Sequence, residues 1–158
     1  MDEGLARRVQ ALEDREAIRA LIASYGPLAD SGDAEGVAAL WTPDGVYAVG
    51  GMGEARGRDA IAALIEGPLH QGLMADGCAH VLGPVAIQLE TDRATATGHS
   101  VVFRRAGDGF EAWRASANRW ALVRTEAGWL VERRDNQVLD GAEGARCLLA
   151  PGPGQPAT

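Results

Sequence analysis

The chain has 158 residues, 46% of them apolar and 23% charged, enough for one domain with its own core. A net charge of −7, with arginines scattered rather than clustered, is the wrong sign and pattern for gripping a phosphate backbone or an anionic lipid surface, so nucleic-acid and membrane-surface roles are disfavoured. Cys78 and Cys147 make neither a disulfide framework nor a metal-ligand spacing, the charged start MDEGLARRVQ has no apolar leader, and no stretch approaches the roughly 20 apolar residues of a membrane span, so a reduced, cytoplasmic setting is expected.

In chain order, residues 4–29 come first. Leu5, Val9, Leu12, Ile18, Leu21, Ile22 and Tyr25 recur there at three- and four-residue steps, which predicts a long amphipathic helix. Pro27 is expected to end or kink it, because proline lacks an N–H and crowds the preceding turn. Ser31-Gly32-Asp33 reads as a break, with Asp33 capping a short helix over Ala34–Trp41. Gly45–Val49 reads as a strand that runs into the glycine-rich turn GGMG. Gly57–Glu66 reads as a third helix, with Asp59 near its positive end. His70 falls in a loop and is expected in solvent.

From Cys78 the period changes to two. Cys78–Glu90, Arg93–Arg105, Glu111–Arg124 and Gly128–Val138 are predicted strands, divided by turn signals at 90–92, 106–109 and 125–128. Short separations predict antiparallel hairpins. Gly83-Pro84 predicts a bulge, which hides the direction of His80. The domain is expected over residues 1–140. Residues 141–158, ending PGPGQPAT, are expected to be a partly disordered tail. Helices followed by hairpins define an α+β class: a cone-like, strongly curved antiparallel sheet wraps around the long N-terminal helix, with two shorter helices and an internal cavity open at one end.

Several polar residues sit oddly in this pattern. Asp30 and Tyr25 fall where the first helix should bury its last turn; an acid there is either part of a turn or a working carboxylate. In the 111–124 strand one face carries Arg114, Ser116, Asn118, Trp120 and Leu122, the other Trp113 and a run of alanines. Asn118 is either paired internally or a donor to a ligand oxygen. If the 106–109 turn centres its hairpin, His99 falls opposite Ser116 on the same face, and one slip in register would reverse this. His80 is either a satisfied structural imidazole or a general base. Trp41 and Trp120 supply core volume or line a pocket. Few basic residues are placed at this cavity, which argues against a highly charged anion and for a hydrophobic, hydroxylated compound.

Together these stretches resemble the SnoaL-like branch of the nuclear transport factor 2-like superfamily over about residues 8–138. The matching runs are Tyr25-Gly-Pro-Leu-Ala-Asp30-Ser-Gly-Asp33, Trp41-Thr-Pro-Asp-Gly-Val-Tyr47, Gly57-Arg-Asp-Ala-Ile61, Ala79-His80-Val-Leu-Gly-Pro84, Ala94-Thr-Ala-Thr-Gly98 and Gly128-Trp129-Leu-Val-Glu-Arg133. Within that superfamily the chain is similar to cofactor-free dehydratases of the scytalone and bile-acid type. The resemblance implies Asp30, His80 and Tyr25 as catalytic residues, with the carboxylate orienting the imidazole. It matches Ser116-Ala117-Asn118 to a substrate-facing triplet and Tyr47 to a substrate tyrosine, with His99, Trp41 and Trp120 as further lining candidates. The second acid-base residue expected in the fourth strand has no counterpart. The implied activity is a lyase of dehydratase type on a small aromatic or polycyclic hydroxylated compound, without cofactor or metal. An isomerase, cyclase, C–C lyase or noncatalytic ligand-binding or assembly domain would use the same cavity. A homodimer through the outer face of the sheet is expected.

Overall fold

The computed structural model describes residues 2–150. Along the chain run α1 (Glu3–Asp30), α2 (Ala34–Ala39), β1 (Trp41–Val49), β2 (Gly53–Arg56), α3 (Arg58–Glu66), α4 (Pro68–Asp76), β3 (Cys78–Leu89), β4 (Arg93–Ala106), β5 (Gly109–Thr125), β6 (Gly128–Val138) and α5 (Glu143–Leu149). One curved, unclosed sheet has the order β2-β1-β6-β5-β4-β3. Its pairs are antiparallel except β1 with β6, which is parallel. The class is α+β, a cone of sheet around the long first helix.

The core lies between α1 and the concave face. Ile18, Ile22, Tyr25 and Ala29 form the buried stripe of α1 and meet Trp41, Tyr47, Trp120, Leu122 and Val131 of the strands. The stripe begins later than its apolar pattern implies. Leu5, Val9 and Leu12 are exposed, and Asp14 is the first buried residue of the helix. Asp14 staples α1 to the sheet: both Nη groups of Arg124 donate to its carboxylate at 2.7 and 2.6 Å, and Trp129 Nε1 donates at 3.1 Å. Pro27 neither ends nor breaks the helix. The N–H of Ser31 bonds Pro27 O at 3.0 Å and carries the turn on past it. Burial of Tyr25, Gly26 and Ala29 offsets the lost bond.

Gly26 decides how near α1 comes to β3. A Cβ at this position would stand 2.2 Å from the carbonyl oxygen of His80, so only glycine allows the contact. Asp33 caps α2 through Gly36 N–H at 2.8 Å. Residues 68–76, where His70 was expected in a loop, form α4: Pro68 occupies its first turn, where a missing N–H costs nothing.

Three register shifts shape the cavity face. One, between Leu82 and Val85, is the bulge at Gly83-Pro84. A second lies between Val102 and Phe103, where Val102 pairs with Arg114 but Phe103 pairs with Ala112, leaving Trp113 as the extra residue. The third lies between Ala121 and Leu122: Ala121 pairs with Arg133 and Leu122 with Val131, leaving Glu132 extra. The expected tail holds α5, which packs over β5 and β6 with Ala145 buried; Arg119 Nε donates to Leu148 O at 3.1 Å. Residues 151–158 of that tail lie outside the described residues.

Candidate active site

A cavity of about 260 Å³ lies between the concave sheet and a wall made by α3 and α4. Its lining is mainly apolar, with Val49, Leu64, Ile65, Leu73 and Leu82 among the contributors. The polar groups that reach it are Tyr25, Tyr47, His70, His80, Ser100, Arg114, Ser116, Arg134 and Asn136. Met52 in the β1–β2 turn and Leu69 in α4 are exposed at its rim.

The end of α1 supplies the carboxylate. Asp30 lies one helical turn beyond Gly26, so the close approach of α1 to β3 delivers it to His80. His80 Nδ1 and Asp30 Oδ1 are 2.6 Å apart, and the His80 backbone N–H donates to Oδ2 at 2.8 Å. A carboxylate only accepts, so the ring proton sits on Nδ1 and Nε2 keeps a lone pair on the cavity side. Burial pulls His80 below the usual imidazole value of 6.5, while the Asp30 hydrogen bond and charge pull the other way. The ring is therefore neutral near pH 7, the state a base needs.

His70 belongs to the same chamber. It is buried, not solvated as its expected loop position implied, because α4 turns it inward. Its Nε2 donates to Ala29 O at 2.7 Å, and its ring centre lies 5.2 Å from that of His80. Consecutive residues of α1 thus hold both imidazoles: the Ala29 carbonyl fixes His70 and the Asp30 carboxylate fixes His80. Nδ1 of His70 is left as an acceptor.

Tyr25, Tyr47 and Arg134 cluster beside this pair, with the Tyr25 ring centre 6.4 Å from that of His80. The Arg134 guanidinium carbon lies 4.3 Å from the Tyr25 ring centre, 4.6 Å from Tyr47 and 4.2 Å from Trp120. Its Nε and Nη2 donate to Asn118 Oδ1 at 2.9 and 2.8 Å, and its Nη1 is buried without a partner among the described residues. Burial pushes the Tyr25 phenol well above the ordinary tyrosine value, so it stays a donor; the Tyr47 and Arg134 groups also act on it electrostatically.

The remaining sequence candidates fall into two groups. Ser116 lines the cavity, as does Tyr47. Asn118, Trp120 and Trp41 do not; they stand behind it. Asn118 is fully engaged, donating to Ser100 Oγ at 2.8 Å and accepting from Arg134 and Asn136. Trp41 stacks on Tyr47 with ring centres 5.5 Å apart, and Trp120 backs Arg134. His99 is a correction. It pairs with Ala117 and is exposed, while Ser100 pairs with Ser116 and faces in. One bulge accounts for two misplacements: the extra residue at Trp113 moves the pairing by one, which turns His99 out and brings Trp113, expected outside, to the cavity wall.

Arg134 and Asn136 escaped the sequence reading for the same reason. Alternation from Trp129 and Val131 points to Arg133 and Asp135 as the inward pair; the bulge at Glu132 hands that face to Arg134 and Asn136. Opposite His80 in β4 stands Val102.

Among the described residues, Asp30, Cys78 and His80 are the one group whose ligand atoms, all within 4.8 Å of each other, could take a metal ion. The Cys78 thiol donates to Asp30 at 3.6 Å, and burial pushes it up to about 11, so it is S–H rather than thiolate at neutral pH. The short Nδ1–Oδ1 contact is that of a hydrogen bond. This donor set fits proton chemistry better than metal ligation.

Comparison with known proteins matches this architecture. A cone of sheet around a long helix, with a small-molecule-sized cavity inside, is the nuclear transport factor 2-like fold. A crystal structure of such a protein, with a cystatin-like fold, from Novosphingobium aromaticivorans is 58% identical, superposes with a TM-score of 0.92 and covers 95% of this chain and 99% of its own. Residues 10–135 match the SnoaL-like domain, and the chain belongs to that family. It is also similar to a Catenulispora acidiphila protein solved in complex with S-DNPA: 25% identity, TM-score 0.69, 82% of this chain and 94% of that one. ActVI-ORFA from Streptomyces coelicolor shares the fold at 23% identity and a TM-score of 0.70, over 80% of this chain and 98% of its own. A search of curated protein sequences gives no match. No described helix is long and apolar enough to cross a membrane.

Proposed function

We propose that this chain is a cofactor-independent lyase of dehydratase type, acting in the cytoplasm on a small hydrophobic, aromatic or polycyclic, hydroxylated carbonyl compound. The observation that carries the reading is the Asp30–His80 hydrogen bond at the wall of an apolar cavity, which leaves one bare imidazole nitrogen facing a substrate. His80 Nε2 takes a proton from the carbon next to the carbonyl. Asp30 holds the ring in that tautomer and stabilises the imidazolium, as orienting carboxylates do. Tyr25 and Tyr47 donate to the carbonyl oxygen as the C–H electron pair moves onto it. His70 Nδ1 accepts the hydrogen of the substrate hydroxyl and orients it. The C–O bond then breaks, the imidazolium of His80 returns its proton to the departing hydroxide, and water leaves with a carbon–carbon double bond in its place. The complex of the Catenulispora relative with S-DNPA supports a small-molecule occupant.

The test uses 3-hydroxy-1-tetralone, an apolar bicyclic β-hydroxy ketone whose dehydration product rearranges to fluorescent 1-naphthol. The wild-type protein should accelerate its formation over buffer. His80→Ala and Asp30→Asn should each cost at least about 100-fold while circular dichroism stays native. No acceleration, or near-normal turnover by either variant, counts against the reading.

The same proposal includes a homodimer through the convex face of the sheet. Its support is the row Val81, Val101 and Ala115, neighbours across β3, β4 and β5, beside Phe103.

A further inference from the structure

Of the arginines in this chain, Arg93, Arg104, Arg124 and Arg133 are each paired with a carboxylate at 3.2 Å or less. Arg114 and Arg134, the two that line the cavity, have only neutral partners. Arg114 Nη2 donates to Gly50 O at 3.1 Å and Asn136 Oδ1 at 3.0 Å. Arg134 donates to Asn118 Oδ1 and lies against three aromatic rings. Among the described residues no Asp or Glu lines the cavity, although acids outnumber Lys and Arg by 22 to 15 in the chain. Asp30 stands behind His80 and is engaged by it.

Two guanidinium groups at the wall of an apolar cavity, without a counter-charge, are costly to keep. Taking a cation out of water is repaid only by opposite charge or dense hydrogen bonding. Ring faces and amide oxygens supply part of this for Arg134, which is 2% exposed. They leave its Nη1 with no partner among the described residues. Burial and the like charge of Arg134 act together to pull Arg114 below the ordinary arginine value. The arrangement is incomplete as protein alone and would be completed by an anion between the two arginines.

We infer that the occupant of this cavity is a hydrophobic acid, an aromatic or polycyclic skeleton carrying a carboxylate that Arg114 and Arg134 bind. The inference rests on the cavity being the substrate site, and it corrects the expectation that basic residues are scarce there. Arg134 offers the carboxylate its Nη1 and Arg114 the N–H groups that Gly50 and Asn136 do not take, each a charge-assisted donor. The apolar walls of α3 and α4 take the skeleton, and the two imidazoles meet its reactive end.

Isothermal titration with 2-naphthoate and 2-naphthamide separates charge from shape, since the two share ring system and size. The wild-type protein should bind the carboxylate at least tenfold more tightly than the amide, and the ratio should shrink as salt is raised. Arg114→Gln should bring the ratio towards one. Arg134 is too buried for substitution to be a clean test, so its Nε–H resonance is followed instead and should shift when naphthoate, but not naphthamide, is added. Naphthoate binding that is absent, or no tighter than that of the amide, overturns the inference, as does a ratio unchanged in Arg114→Gln together with an unmoved Arg134 resonance. Failure of the dehydration test with a retained naphthoate preference would sink the lyase reading and leave the acid site standing; the reverse result would do the opposite.

Discussion

His80 is a base because two influences on it oppose each other, and its behaviour with pH follows from which is larger. Burial favours the neutral ring and outweighs the pull of Asp30, so His80 titrates below 6.5. Base catalysis through Nε2 should therefore rise as pH climbs through that lowered value and be level at neutrality. For stability the sign is the same. A depressed imidazole binds fewer protons folded than unfolded, so its contribution is present above the unfolded value and is lost as pH falls through the folded one. Asp30→Asn removes the opposing pull, hydrogen bond and charge alike, and should move the His80 titration lower still. Following the His80 ring signals by NMR across pH decides this; an unchanged or higher titration would mean that the carboxylate does not govern the imidazole. The partnership of Asp30 and His80 was legible in the sequence, because a helix end and a strand start fix both positions and the resemblance named them. Arg134, His99 and Trp113 were not legible. Each depends on a bulge, and a bulge without a Gly-Pro signature leaves the local sequence looking like uninterrupted alternation.

At the level of elements, the site depends on how closely α1 lies on β3. Gly26 allows that contact, with His80 O so near that a methyl group at this position would stand 2.2 Å from it. Gly26→Ala improves intrinsic helix propensity by about 1 kcal/mol, so propensity alone predicts a more stable protein. The contact predicts the reverse. Helix and strand must part, and overpacking of this kind typically costs about 1–3 kcal/mol, which should exceed the propensity gain. The same parting draws Asp30 from His80, so the His80 titration should fall as it does in Asp30→Asn. Chemical denaturation with the NMR titration checks both, and a stabilised variant with an unmoved His80 would show that the helix can yield without disturbing the pair. Hairpin boundaries were readable because turn residues mark them and strands of this length need no other signal. α4 was missed for a physical reason: its nine residues include Gly72, and the helix is short enough that packing over the cavity, rather than propensity, holds it. Losing α4 from the sequence reading also lost His70.

At the scale of the whole molecule, two of the exposed apolar surfaces make different claims on a second copy of the chain. One is the protruding start of α1, where Leu5, Val9 and Leu12 are 48%, 42% and 66% exposed. The other is the convex sheet around Val81, Val101, Phe103 and Ala115. α5 covers the neighbouring part of that face, at Arg119, so a sheet-to-sheet dimer must use the β3–β4 side. A stable interface buries about 800 Å² on each partner. Three side chains on one helix face fall well short of that area, whereas strands of 12, 14 and 17 residues lying side by side can supply it. The charge balance agrees: a chain at −7 repels its own copy at long range, so only a contact large and apolar enough to outweigh that repulsion will hold. Ala115 is exposed and on the convex face, so Ala115→Glu places like charges on both sides of such an interface without disturbing the monomer. Sedimentation equilibrium at tens of micromolar should give a dimer for the wild-type chain, a monomer for Ala115→Glu and a dimer for Leu12→Glu. The opposite pattern, with Leu12→Glu dissociating and Ala115→Glu intact, would transfer the interface to the helix. A wild-type monomer would remove it altogether.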